Sequence, residues 1–268
     1  MSDQHTKFSG SIPALYDRHL LPVFFQPYAD HLAARLASVT SGTLLELAAG
    51  TGVLSRTLDR TLPASVSLVA TDLNQPMLDY AASRSNGRIT WRQADAQHLP
   101  FPNVSFDWVV CQFGVMFFPE KVAAFREARR VLRPAGQLLF SVWDRLEENE
   151  LSFAISEAVG SLLKNDPPQF IARVPFGYFD TQQIQSDLRA AGLSSIGLET
   201  VSLPCRAESA HDVAIGICQG TPLRNELEAR AASLPLELTE SVAALLSSRF
   251  GSGPFTTRMQ AHLFSASP

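Results

Sequence analysis

A chain of 268 residues, 46% of them apolar, has enough material for a sizeable core without staples and is too apolar to be disordered. Its 22 basic and 26 acidic residues give a net charge of −4, with no Lys/Arg cluster, which argues against a nucleic-acid partner. Cys111, Cys205 and Cys218 are too scattered for a metal site or an evident disulfide framework, no apolar run approaches the ~20 residues of a membrane span, and the opening MSDQHTKFSG lacks a basic-then-apolar leader, so a cytoplasmic protein without a metal is expected.

In chain order, residues 14–39 read as helical around Pro22 and Pro27, and Ser41-Gly42 ends that pattern. Thr43 to Leu47 reads as a buried strand running into a glycine-containing turn, and Val53 to Leu62 as a helix stopped by Pro63. The alternation then repeats: strand at Ser67–Thr71, helix at Gln75–Ser83, and strands at Ile89–Gln93 and Phe106–Cys111. A helix follows at Glu120–Leu132, a turn at Pro134-Ala135-Gly136 and a strong strand from Gln137 to Trp143. Apolar strands alternating with helices imply a parallel sheet covered on both faces.

Glu147 to Lys164 is helical, and the stretch from Asn165 to Asp180 looks like a loop. Thr181 to Ala191 is a helix with Thr181 as its N-cap and Gly192 as its stop. Ile196–Leu203 and Phe255–Ala266 read as late strands, and residues 209–250 as mostly helical with breaks at Pro222 and Pro235. The expected architecture is an α/β, Rossmann-like, doubly wound and mostly parallel seven-stranded sheet with helical cap insertions. Residues 1–42 form an N-terminal helical cap segment, 43–145 the Rossmann-like core, and 146–268 further cap insertions plus the last strands of the same sheet.

The segment Leu44-Leu45-Glu46-Leu47-Ala48-Ala49-Gly50-Thr51-Gly52 carries the chemistry. It lies between a buried strand and a helix, where glycines let the backbone approach a ligand near a helix N-terminus. Glu46 is the telling residue. An anionic pyrophosphate avoids a carboxylate there, whereas a sulfonium cofactor with an α-amino group tolerates or prefers one. Asp72, twenty residues after Gly52, ends the second strand, where an acid can accept both ribose hydroxyls. Asp95, after the third strand, can accept from an adenine amine, and the Ala96 N–H can donate to a ring nitrogen. The plainer readings are a tight turn with a capping Asp72 and a loop cap at Asp95. Three acids at successive strand ends favour a ligand site.

These residues resemble the class I S-adenosylmethionine-dependent methyltransferases, in particular the small-molecule group (methyltransferase type 11) that includes the ubiquinone/menaquinone enzymes. The resemblance rests on Glu46–Gly52, Asp72-Leu73, Asp95-Ala96, Ser105–Val110 and Glu127–Gly136, and covers about residues 43–143. Ala48 and Ala135 stand where the family usually has glycine. The resemblance implies S-adenosyl-L-methionine as cofactor, with S-adenosyl-L-homocysteine as product. It implies that Glu46 holds the cofactor amino group, that Ala48 and Gly50 supply backbone contacts, and that Met77 lies against the adenine. Gln112 would sit near the methionine end, Tyr16 would close over the carboxylate, and Arg18 would pair with it.

The implied reaction is in-line transfer of the methyl group to a small, apolar or aromatic acceptor, in which the protein mainly supplies proximity and orientation. Should a general base be needed, His19, His31 and His211 are candidates, each more simply read as a surface or core residue. His98 reads as structural. Phe113 and Trp143 follow strand ends and are the expected acceptor-pocket residues. Phe24, Phe25, Tyr28, Phe117, Phe118, Phe176, Tyr178 and Phe179 are further aromatics of the cap, and Gln219–Pro222 is a polar turn beside them. Two rivals are a non-catalytic S-adenosylmethionine-binding module and an NAD-dependent oxidoreductase. The near-fingerprint Gly50-x-Gly52-x-x-Ser55 suggests the latter, and Glu46 and Asp95-Ala96 argue against it.

Overall fold

The computed structural model describes residues 10–231 and 233–268. Seven strands form one sheet in the order β3-β2-β1-β4-β5-β7-β6. They are β1 (Gly42–Glu46), β2 (Val66–Asp72), β3 (Thr90–Gln93), β4 (Phe106–Gln112), β5 (Leu132–Trp143), β6 (Ser194–Ala207) and β7 (Phe255–Ser267). The first five pair in parallel, and β7 inserts antiparallel between β5 and β6. This is the expected doubly wound, mostly parallel sheet. Strand order reverses direction at β1, with β2 on one side and β4 on the other. In open α/β sheets that reversal leaves a crevice beyond the carboxyl ends of the strands.

The helices that cover the sheet show why their sequences form them. In α5 (Lys121–Val131) the buried residues Ala124, Phe125, Ala128 and Val131 recur at helical spacing, while its charged residues face outward. Helix α3 (Val53–Thr61) begins at Gly52, whose φ of +84° lies in the left-handed region, and buries Leu54 and Leu58. A side chain at Gly52 would drive its Cβ to 2.8 Å from the Trp91 ring. Helix α4 (Gln75–Ser83) follows β2 with Pro76 in its first turn, where the missing N–H costs nothing.

Several expectations need correction. The N-terminal segment is not one helix. It is α1 (Ile12–His19) and α2 (Gln26–Arg35), joined by a π-helical turn over Leu21–Phe25 that carries Pro22. Pro134-Ala135-Gly136 does not precede β5 but lies within its extended course. Phe106 pairs with Leu132 and Trp108 with Gln137, so the intervening residues form a bulge. Helix α6 (Glu150–Leu162) is as expected, but the following loop contains a short helix, α7 (Phe170–Arg173). The N-cap of α8 (Thr181–Ala190) is Asp180, not Thr181; its carboxylate accepts from the backbone N–H groups of Gln182 and Gln183. A carboxylate is the better acceptor for orphan helix donors, and the sequence offers both residues side by side. After α9 (Ala210–Gly220) and α10 (Leu223–Glu228), Pro235 opens α11 (Leu234–Phe250) rather than breaking it.

Two motifs of the resemblance serve the scaffold. Asp107 accepts from the Thr43 N–H at 2.8 Å and pairs with Arg133, tying the starts of β1, β4 and β5. Glu127 accepts from Leu99 N–H, and its partner Arg130 donates to the carbonyls of Leu99 and Phe101, stapling the 97–103 loop to α5. No helix among the described residues is long and apolar enough to cross a membrane. No metal-ligating cluster is found among the described residues either.

Candidate active site

A cavity of about 430 Å³ opens at the carboxyl ends of β1, β2 and β4 and extends under α1, the π-helical turn, α6, α7 and α9. Glu46, Asp72 and Asp95 all line it, as do Tyr16, Ala48, Gly50, Leu73, Met77, Ala96, Gln112, Phe113 and Trp143. Among the described residues that line it, the ionisable ones are Tyr16 and the three carboxylic acids.

The glycine turn is built by left-handed residues. Ala48, Gly50 and Gly52 have φ of +52°, +57° and +84°. For Ala48 this conformation costs about 1–2 kcal/mol relative to the right-handed region. Its methyl lies against Gly114, where a Cβ would come within 2.4 Å of it. Gly114 thus makes room for the Ala48 methyl. At Gly50 a Cβ would meet only the Met77 methyl, at 3.9 Å, so the turn is open on the cavity side. The Gly50 N–H donates to Asp72 at 2.9 Å. Gly50 therefore offers a ligand a close approach rather than a free donor. Gly52 does not line the cavity; its N–H returns to the Ala49 carbonyl and its bare Cα packs under Trp91.

The acids differ in environment. Glu46, only 3% exposed, accepts from the Ser55 hydroxyl. Burial pushes its carboxyl up to about 8, against the opposing pull of Ser55 and Arg56. A buried carboxyl held near neutrality is poised to ionise beside a cation. Asp72 is also raised by burial, offset by backbone N–H donors from Asn74 and Gly50. It braces the glycine turn. Asp95 is half-buried, accepts from the Gln97 N–H at 2.8 Å, and therefore also caps its loop.

At the other end the lining is aromatic. Phe113 and Trp143 stack with ring centroids 3.8 Å apart, Phe25 meets both edge-on, and Phe176 stacks against Trp143 with centroids 6.0 Å apart. Phe24, Phe117 and Phe118 also line the cavity. Tyr28, Tyr178 and Phe179 do not. Tyr28 is fully buried and donates to the Val201 carbonyl at 2.9 Å, Tyr178 donates to Asp187, and Phe179 lines a separate cleft. Thr221 and Pro222 reach the cavity, whereas Gln219 turns to Thr239.

The histidines lie elsewhere. His19 is buried against Asp212 at 3.2 Å, linking α1 to α9. His31 lies on α2 away from the cavity, and His211 pairs with Glu240. Arg18 is exposed and off the cavity, while its neighbour Asp17 pairs with Arg56 at 3.1 Å. Sequence reasoning missed Leu20, Thr51, Ile155, Phe170, Ile171 and Ile217, all of which line the cavity. Thr51 lay inside the glycine motif and was readable as a lining residue. The others are ordinary apolar residues on cap helices.

A methyltransferase-domain family model matches residues 45–140, which span the glycine turn and all three acids. The ubiquinone/menaquinone biosynthesis C-methyltransferase UbiE of Pseudomonas putida is 32% identical over 177 residues, covering 60% of this chain and 69% of that protein. The chain belongs to the class I S-adenosylmethionine-dependent methyltransferases. For the Pseudomonas aeruginosa UbiE, 33% identical over 148 residues, the match covers 50% of this methyltransferase-family chain and 58% of the relative. The chain thus spans little more than half the length of that relative. Among solved structures, the YcgJ protein of Bacillus subtilis has a TM-score of 0.59 at 17% identity, covering 90% of this chain and 98% of that one. This likeness extends the shared fold beyond residues 45–140 to the cap and the late strands.

Proposed function

We propose that this methyltransferase-family chain transfers the methyl group of S-adenosylmethionine to a small, apolar or aromatic acceptor held in the cap. The carrying observation is the convergence of Glu46, Asp72 and Asp95 on one cavity beside an open glycine turn. The donor set suits the cofactor. Glu46 is a buried carboxyl awaiting a positive partner and takes the α-amino group. Asp72 accepts from the ribose hydroxyls. Asp95 and the Ala96 N–H take the adenine edge, with Met77 against its face. Thr51 lines the cavity within the glycine turn, and Tyr16 closes the methionine end.

When bound, the cofactor supplies an electrophilic methyl on a sulfonium. The chain's contribution is orientation, and exclusion of water by Phe25, Phe113 and Trp143. Burial raises the Tyr16 hydroxyl, with Asp72 and Asp17 adding to the effect, so it acts as a neutral hydrogen-bonding group. His19 and His31 take no part in this reading, because neither reaches the cavity.

Calorimetric titration with S-adenosylhomocysteine and with NADH tests the assignment. Binding of the first and not the second is expected, followed by transfer of labelled methyl to a member of a panel of phenols, hydroquinones and arylamines. Tight binding of NADH alone would reverse the assignment. Cofactor binding with no transfer to any acceptor would favour a binding module.

A further inference from the structure

Helix α1 lines the cavity with Tyr16, and the glycine turn lines it with Ala48, Ala49, Gly50 and Thr51. The helix is held in two different ways. Against α9 the contact is close to the backbone. A Cβ at Gly220 would come 3.0 Å from the Tyr16 nitrogen, and one at Gly216 would come 3.0 Å from the His19 Cβ, so α1 lies directly on these two glycines. His19 and Asp212 pair across the same seam at 3.2 Å. Ile217 of α9 also lines the cavity, so the two helices form one piece of its cap. Against the sheet side, α1 is held by Asp17. Its carboxylate is only 9% exposed and pairs with Arg56 of α3 at 3.1 Å. Arg56 Nη2 makes that bond, while Nη1 donates to the Thr51 carbonyl of the glycine turn. Tyr80 of α4 and Arg84 just beyond it reach the other Asp17 oxygen at 3.4 and 3.7 Å.

We infer that Asp17 and Arg56 are positioning residues that latch the α1–α9 cap piece onto the glycine turn, and that parting of this pair releases the cofactor. This rests on the proposed cofactor site. The two attachments of α1 differ in what separation costs. Parting α1 from α9 would forfeit close packing along the glycines with nothing to replace it. Parting Asp17 from Arg56 lets both charges take up water, because the pair lies near the surface. The guanidinium has two arms, so Nη2 can release Asp17 while Nη1 keeps Thr51 and the turn keeps its shape. The floor of the site therefore stays formed when the roof lifts.

The test is the dissociation rate of S-adenosylhomocysteine from the full chain, by stopped flow well below the Tm. Asp17→Asn keeps the shape and removes the charge; dissociation should become about tenfold faster, with association no slower. In an Arg56→Met background the same substitution should change dissociation by less than about twofold, because the partner is already gone. Arg84→Met, which removes only the longer and more exposed contact, should also stay within about twofold. Asp17→Ala makes the same comparisons if the asparagine variant misfolds. Dissociation unchanged in both Asp17 variants, with only a lower Tm, would make the pair a strut and overturn the inference. So would a loss of affinity carried by slower association, or an equal effect in the Arg56→Met background. Failure of the unaltered protein to bind S-adenosylhomocysteine is a distinct result, which overturns the functional proposal and this inference with it.

Discussion

The two ends of the cavity are made by different means. The proposed cofactor end is built from strand termini. Glu46, Asp72 and Asp95 leave β1, β2 and β3 at the edge where the parallel sheet reverses direction, and the register of neighbouring strands fixes their spacing. Beyond the strand-end rings of Phe113 and Trp143, the proposed acceptor end is built from pieces far apart in the chain: the π-helical turn, α6, α7 and α9. Polar groups placed by hydrogen-bonded strands tolerate little change, whereas apolar walls placed by helix packing can be redrawn by single substitutions. A family can thus keep one cofactor site while exchanging acceptors.

That contrast breaks if a substitution at one end disturbs the other. The largest expected effect on cofactor affinity is at the sheet edge. Asp72→Ala should weaken S-adenosylhomocysteine binding by about 1–3 kcal/mol, the scale of hydrogen bonds to a charged acceptor. It also releases the Gly50 and Asn74 N–H groups, so a fall in Tm should accompany it. Phe176→Ala, at the far end, should leave that affinity within about twofold while abolishing discrimination among aromatic probes, although removing a buried aromatic costs about 3–5 kcal/mol of stability. Calorimetry and thermal denaturation of both variants check the pair. Comparable loss of cofactor affinity in Phe176→Ala would show that the two ends are one unit.

A second, pH-dependent effect sharpens the cofactor end. Burial raises Glu46 from about 4.5 to about 8. Its stabilising contribution is fully present below about 4.5 and is lost as pH rises through about 8, because the native state keeps a proton that the unfolded chain has released. A cationic amino group favours the ionised carboxyl, so ligand binding expels that proton. Affinity for S-adenosylhomocysteine should therefore rise with pH toward about 8, by at most about tenfold per unit. Glu46→Gln should flatten both trends. Calorimetry in buffers of different ionisation heat measures the proton released, and no release between pH 6 and 8 would detach Glu46 from the amino group.

A smaller effect concerns Ala48. Glycine adopts its φ of +52° freely, but also gives the unfolded chain more freedom. These terms oppose each other, so Ala48→Gly should change stability by less than about 1 kcal/mol. The reverse probe, Gly114→Ala, sets two methyls on a collision course at 2.4 Å and should cost far more. Comparing the two Tm values tests whether Gly114 accommodates Ala48.

What was legible in the sequence follows the same division. Alternation of apolar strands and helices foretold the sheet, and the acids were readable because each ends a strand. The aromatic lining was partly legible, through Phe113 and Trp143 at strand ends. Phe170, Ile171 and Ile217 were hidden, because nothing local distinguishes a lining isoleucine on a cap helix from a core one. The helical reading of residues 14–39 missed the π-helical turn because Pro22 and Pro27 fit the first turns of successive segments as well as they fit a kink. Tyr28, read as a cap aromatic, is instead a core residue whose hydroxyl reaches the late strands β6 and β7, a contact 173 residues away in sequence.

A small expected effect belongs to His19, a weak candidate base in the sequence whose simpler core reading matches the strut it forms in the structure. His19 joins α1 to α9 through Asp212 and does not line the cavity. Burial lowers its ring below the ordinary histidine range, while Asp212 pulls the other way. A depressed histidine means that the native state binds fewer protons than the unfolded chain, so its contribution to stability is fully present above about 6.5 and is lost as pH falls below that toward the lower native value. His19→Gln should therefore lessen the acid-side loss of stability and leave the pH dependence of methyl transfer unchanged. The tie it loses is only partly sheltered, since Asp212 is 46% exposed, so the cost at neutral pH should stay within about 1 kcal/mol. A shifted pH profile for transfer with unchanged cofactor affinity would return His19 to the reaction, and would mean that α1 moves far enough during turnover to bring the ring into the cavity.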